Sequence, residues 1–150
     1  IYRQGFASSL EPDEDYLLPF GKARIVQEGN DLTIVTWGAI VQKAVEASRN
    51  SNKSVEVIDI RTLNPLDMDT ILNSIKKTNR VIVAHEDHLT AGFGSEISAQ
   101  ISDVGFEFLD APVKRIASKD VHVAYSPNLE NEILVQTSWI EKEIEEIINY

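Results

Sequence analysis

Four adjacent residues, His85, Glu86, Asp87 and His88, bring two imidazoles and two carboxylates together at one point of the chain. Imidazole and carboxylate can ligate a metal ion, and a histidine beside an acid can move a proton. Three potential ligands within four residues do not close around one ion without a further element, so no metal site is assigned. A hydrolytic triad would need a nucleophile set against a base. The sequence offers no GxSxG, no P-loop and no cysteine. Gly92-Phe93-Gly94 follows the polar cluster, but a dinucleotide fingerprint needs a third glycine where Ile97 stands, and it belongs after the first strand of a unit. We read these glycines as tight packing of a helix start, whose N–H groups could still receive a carboxylate or phosphate. No catalytic and no cofactor-binding residue is assigned. His85, Glu86, Asp87, His88, Gly92 and Gly94 are a crevice loop without an assigned role.

The elements around this loop define its setting. The apolar run Val81-Ile82-Val83-Ala84 predicts a buried parallel strand, with the polar cluster as a loop at its carboxyl end and an amphipathic helix (Ile97, Ile101, Val104) behind the glycines. Alternation over Lys22–Gln27, a turn at Glu28–Asp31 and the apolar run Leu32–Trp37 predict an edge strand hairpinned onto a central one. Ile40, Val41, Ala44, Val45 and Ala47 recur at helical spacing, and Val55–Ile60 is the next strand. Asp67 is placed to cap a helix carrying Ile71, Leu72 and Ile75. A strand at Val113–Ala117, a helical turn at Leu129–Leu134 and a last helix complete the chain, the last opened by a Ser138/Glu141 capping box. Strands alternating with helices imply an α/β fold with a doubly wound, mostly parallel sheet and one antiparallel edge strand. If the order reverses beside the first parallel strand, Thr36-Trp37-Gly38 faces His85–His88 across the crevice, where ligands of such sheets bind.

The 150 residues form one domain, 43% hydrophobic and 25% charged. A net charge of −10 disfavours nucleic acid and anionic lipid and suits a basic protein surface. No apolar run reaches the roughly 20 residues that span a bilayer. Residues 1–20 hold the acidic stretch Glu11–Asp15 and lack periodicity, so they are read as an arm or linker, with the domain proper at 21–150. An opening Ile1 that runs at once into such sequence suggests a piece of a longer protein.

Four segments in this order carry a resemblance: QEGNDLTIVTWG (Gln27–Gly38), EVIDIRTLNPLD (Glu56–Asp67), VIVAHEDHLTAGFGSEISAQI (Val81–Ile101) and FLDAPVKRIA (Phe108–Ala117). Together they resemble the C-terminal domain of the transketolase superfamily, and more narrowly that of the β subunit of a thiamine-diphosphate-dependent 2-oxoacid dehydrogenase. The HE-x-x-LT-x-GFG and QEG-x-D-x-T-x-V-x-WG segments look closer to the branched-chain (2-oxoisovalerate) enzymes than to the pyruvate ones. The resemblance implies a three-layer α/β/α domain with a five-stranded sheet. It also implies that thiamine diphosphate and Mg²⁺ are bound by other domains of the full enzyme and none by this chain, which would not decarboxylate alone.

What the resemblance leaves to this domain is assembly. It implies an α-type subunit or region, a second β subunit across a twofold axis, and the subunit-binding domain of a dihydrolipoyl acyltransferase core as partners. In relatives an acidic residue before Ala-Pro and the carboxyl terminus of the β subunit meet basic residues of that domain, and the matching positions are Asp110 and the carboxylate of Tyr150. The implied location is the cytoplasm in a bacterium and the mitochondrial matrix in a eukaryote. The competing readings are a small-ligand or nucleotide regulatory domain built on His85–Gly94, and the same domain in transketolase or deoxyxylulose phosphate synthase.

Overall fold

The runs Leu32–Thr36, Val55–Asp59 and most of Val81–His88 are too apolar to face water and too short to bury themselves alone, so with two more polar edge strands they pair into one sheet with helices on both faces. The computed structural model describes residues 15–150. Its elements are β1 (Arg24–Gln27), β2 (Leu32–Thr36), α1 (Ile40–Asn50), β3 (Val55–Asp59), α2 (Met68–Thr78), β4 (Val81–His88), α3 (Phe93–Gly105), β5 (Lys114–Ser118), α4 (Pro127–Ile133) and α5 (Thr137–Ile148). The sheet order is β1-β3-β2-β4-β5, parallel throughout except for the antiparallel β1–β3 pair. This is the expected mostly parallel sheet with one antiparallel edge strand. Of the expected arm, residues 1–14 lie outside the described residues.

Strand alternation sends Leu32 and Ile34 to a core shared with Ile40 and Ala44 of α1 and Ile140, Ile144 and Ile147 of α5. Val35, Val81 and Val83 face the other way, onto Ile71 and Ile75 of α2 and Ile97 and Ile101 of α3. The chain therefore has the expected three layers, with α1 and α5 on one face and α2 and α3 on the other. Asp67 caps α2 as expected, accepting from the Thr70 amide at 3.3 Å and the Thr70 hydroxyl at 2.8 Å. The same carboxylate accepts the Ala23 amide at 2.9 Å, which ties the approach to β1 to the start of α2. Burial pushes the Asp67 pKa up, and these hydrogen bonds outweigh it and hold it below the ordinary range.

Two local expectations fail for non-local reasons. The β1–β2 hairpin does not form, because β1 pairs with β3 instead of its sequence neighbour. Gly29, in the turn between them, lies against the β3 backbone so closely that a Cβ there would sit 2.2 Å from the Glu56 nitrogen. Asn30 and Asp31 amides both donate to the Ser54 carbonyl, at 2.9 and 2.8 Å, so the turn grips the entry to β3. The Ser138/Glu141 capping box does not form either. Helix α5 begins at Thr137 with Gln136 at its N-cap, two residues before the expected cap at Ser138. Its side chains bond sideways to α1: Thr137 Oγ1 to Glu46 at 2.9 Å, and Glu141 accepts from Asn50 at 2.6 Å.

A buried polar network joins α2 to the amino ends of β2 and β3. Thr33, fully buried, bonds Ser74 at 2.5 Å and Thr78 at 2.7 Å. Glu56, also fully buried, accepts from Ser74 and from the ammonium of Lys77, and more weakly from the Gly29 amide at 3.4 Å. Burial pushes the Glu56 carboxyl up, but Lys77, Ser74 and the remaining bonds together hold it below its ordinary value. Removing the charge leaves Lys77 with Glu28 at 3.3 Å as its carboxylate partner and weakens the acceptor of Ser74 and the Gly29 amide.

Glu56→Gln is therefore expected to lose about 2–3 kcal/mol in urea unfolding at pH 7, the scale of a charge-assisted hydrogen bond. Because the folded pKa is depressed, the gap between the two proteins is full above about pH 4.5 and narrows as pH falls through the lower folded value. Gly29→Ala meets β3 backbone that cannot step aside, and about 3 kcal/mol or more of destabilisation is expected from the same measurement.

Candidate functional site

The polar cluster is not a loop. Strand β4 runs through it to His88, whose partner on β5 is Ser118. Between Ala84 and His88 the register slips: β4 spends four residue steps where β5, from Ile116 to Ser118, spends two. The extra backbone is held by Ser118, whose hydroxyl donates to the Glu86 carbonyl at 2.6 Å and whose carbonyl accepts the Leu89 amide at 3.1 Å. A bulge of this kind re-aims side chains at a sheet edge.

Alternation along β4 puts His85 on the same face as Val81 and Val83, and its side chain is 0% exposed. Its ring lies parallel to Trp37, with centroids 5.2 Å apart and planes 4° apart. Phe93 meets Trp37 edge-on at 6.2 Å. The switch point between β2 and β4 thus falls where expected, and Trp37 and His85 do face each other across it. Their rings fill the crevice.

The two glycines have a specific job here. A Cβ on Gly94 would stand 2.2 Å from His85 Cδ2 and 2.3 Å from Nε2, and one on Gly92 would stand 2.7 Å from Cε1. Any side chain at either position would collide with the imidazole, so the first turn of α3 is the floor on which His85 rests. Ala91, just before it, takes φ 60° to turn the chain into that floor. Neither ring nitrogen has a hydrogen-bond partner among the described residues. Burial pushes the His85 pKa down; the Asp87 carboxylate pulls it up and the Arg115 guanidinium pushes it further down.

The rest of the cluster diverges. Asp87 points outward, and His88 Nε2 lies 3.1 Å from the Val121 carbonyl. Thr90 donates its amide and hydroxyl to Asp120 at 2.9 and 2.6 Å. Two imidazoles, one buried beneath Trp37 and one bonded to the loop after β5, cannot share an ion. Among the described residues no group of three His, Asp or Glu is placed to hold a metal. A thiamine diphosphate does not fit either: the crevice at the strand ends is occupied by His85 and Trp37, with Gly94 in contact behind the imidazole.

Asp110 and Tyr150 lie elsewhere, 40 positions apart in sequence, yet both line one open cavity of about 690 Å³. Its wall is the small-residue face of α3, with Ser95, Ser98 and Ser102, and its rim carries Phe106 and Arg115. Asp110 is anchored by its amide on the Asn79 carbonyl at 2.8 Å, and its carboxylate stands 4.0 Å from Arg80. The Tyr150 amide donates to the Ile147 carbonyl at 3.4 Å, continuing α5 to the cavity. Arg115 is the residue the sequence reading missed. From β5 it donates to the Leu89 carbonyl at 2.8 Å and to the Ser95 hydroxyl, linking the bulge to the cavity wall. The available signal was its place in the strand pattern, one residue before buried Ile116.

Comparison with known proteins agrees with this architecture. Residues 21–140 match the family model described as transketolase, C-terminal domain. The β subunit of the mitochondrial pyruvate dehydrogenase E1 component of Dictyostelium discoideum is 45% identical over 133 residues, covering 87% of this chain and 37% of that protein. The corresponding Rickettsia bellii protein is 45% identical over 135 residues, covering 87% and 40%. Its Staphylococcus aureus counterpart is 43% identical over 112 residues, covering 73% and 34%. The chain thus spans about two fifths of the length of the curated relatives it matches. Among solved structures, an inactive β4 tetramer of a split-gene transketolase superposes with a TM-score of 0.76 at 23% identity, over 93% of this chain and 45% of that one, which speaks for the fold alone. The expected leaning toward branched-chain enzymes finds no support here, since these three relatives carry the pyruvate name. By its matched residues and its fold, this chain belongs to the transketolase C-terminal domain family.

Proposed function

We propose that this chain is the assembly and docking domain of the β subunit of a thiamine-diphosphate-dependent 2-oxoacid dehydrogenase. The names of its relatives favour pyruvate as the substrate of the whole enzyme. In that enzyme thiamine diphosphate and Mg²⁺ are held by domains other than this one, and the acyl group passes to a lipoyl carrier. The role of these residues is to hold subunits together. The observation that carries the reading is the convergence of Asp110 and Tyr150 on one groove, in a chain 45% identical to E1 β subunits.

The groove suits a protein partner better than a small metabolite. It is open and mixed in character, with serine hydroxyls on one wall, exposed Phe106 and Tyr150 as apolar anchors, and the Asp110 carboxylate at its edge. On a chain of net charge −10, that carboxylate would meet an arginine or lysine of the acyltransferase core's subunit-binding domain. The α-type subunit and the second β subunit are the remaining partners of the assembly. The compartment follows the organism: mitochondrial matrix, as the name of the Dictyostelium relative places that protein in the mitochondrion, or bacterial cytoplasm.

Two measurements test this. Calorimetric titration with a basic subunit-binding domain should give binding that Asp110→Ala and deletion of Tyr150, which withdraws its carboxylate and ring from the groove, each weaken about tenfold, or roughly 1.4 kcal/mol. Unchanged affinity in both variants removes the groove from the reading. The chain supplied with thiamine diphosphate, Mg²⁺ and pyruvate should release no CO₂, and turnover by the chain alone overturns the assignment.

A further inference from the structure

His85 is the one fully buried histidine of the three in this chain, and it occupies a cradle that accepts only one of its charge states. A neutral imidazole can stack on Trp37 and rest on Gly92 and Gly94 as a flat, largely apolar plate. An imidazolium carries a full charge and two N–H donors. The cradle has no acceptor for either nitrogen among the described residues. Burying that ion unpaired is costly, so the group either stays neutral or leaves.

The charges around the ring set the way out. On its own strand, Asp87 is exposed and favours the charged form. From β5, Arg115 opposes it. From α3, the ring meets the amino end of the helix, whose partial positive charge also opposes protonation, while Glu96 sits in that first turn. The Trp37 side contributes an indole and no charge. His88, the next imidazole on β4, is engaged with Val121 through Nε2. Its amide donates to one Asp87 oxygen at 2.8 Å, with Nδ1 3.6 Å from the same atom, which leaves the other Asp87 oxygen for a second partner. Asp87 is the acceptor to which a charged ring can turn once it has left Trp37.

We propose that the His85–Trp37 stack is a pH-operated latch on the junction between β4 and α3. The neutral ring keeps it closed. Protonation expels the ring toward Asp87, uncouples Trp37 from β4 and frees the first turn of α3 at Gly92–Ser95. The sign follows from burial, which holds the folded pKa below the ordinary 6.5. The latch is fully closed above about pH 6.5 and opens as pH falls through the lower folded value.

The test uses the full chain with Trp139→Phe, which leaves Trp37 as the single indole of the two. Between pH 7.5 and 5 its emission should change reversibly, with a midpoint below 6.5, while far-UV circular dichroism stays constant. Amide exchange at Gly92–Ser95 should accelerate over the same range. Asp87→Asn, on an exposed side chain, should move the midpoint down, and Arg115→Met should move it up. Emission that is flat across this range overturns the latch, as does a midpoint that neither substitution shifts. Loss of circular dichroism in step with emission also overturns it, in favour of general acid unfolding.

Discussion

Strand β2 has no residue that faces water, and the rest of the domain is arranged around that constraint. All five of its side chains are buried, and it is hydrogen-bonded on both edges, to β3 and to β4. A strand covered on both faces can be apolar throughout, but two of these five residues are threonines. Thr33 answers the requirement by bonding Ser74 and Thr78, which fixes where α2 crosses the sheet. Glu56, one strand over, extends the same network to Lys77, so one polar patch sets the register of two strands and a helix. Such a network specifies a position in a way that apolar contact alone does not.

Much of this was legible in the chain because the signals were local. The helices α1 and α2, the Asp67 cap and the strands β2 to β5 follow from periodicity and from one side chain placed three residues before an amide it can reach. What was not legible depends on distant backbone. The β1–β2 hairpin looked sound until Gly29 is seen lying on β3, an approach that no feature of residues 22–37 announces. The strand β4 seemed to end at Ala84 because histidine is read as polar. His85 is inside because Trp37 and two glycines, 48 and 7 to 9 positions away, make room for its ring. The glycines make room for the His85 ring, and the group they accommodate could not be named from spacing.

The groove lined by Asp110 and Tyr150 teaches a different lesson. Nothing in periodicity singles out Asp110 or Tyr150, and they entered through family resemblance. They line the same cavity because α3 and α5 both pack on the edge strand β5, and the chain after α5 runs on to the groove beside α3. Substrate preference was the point where resemblance was stretched too far. The segments that suggested a branched-chain enzyme build the strand ends and the His85 cradle, which are packing features.

One carboxylate described above also couples two elements that are distant in sequence. Asp67 receives the first turn of α2 and the amide of Ala23 together, and among the described residues β1 has no strand neighbour except β3. The approach to residue 24 is held at two points, the Ala23 amide on Asp67 and the Gly21 amide on the Thr62 hydroxyl at 3.0 Å. Whatever loosens the first turn of α2 therefore also loosens the approach to the edge strand β1, since one side chain serves both.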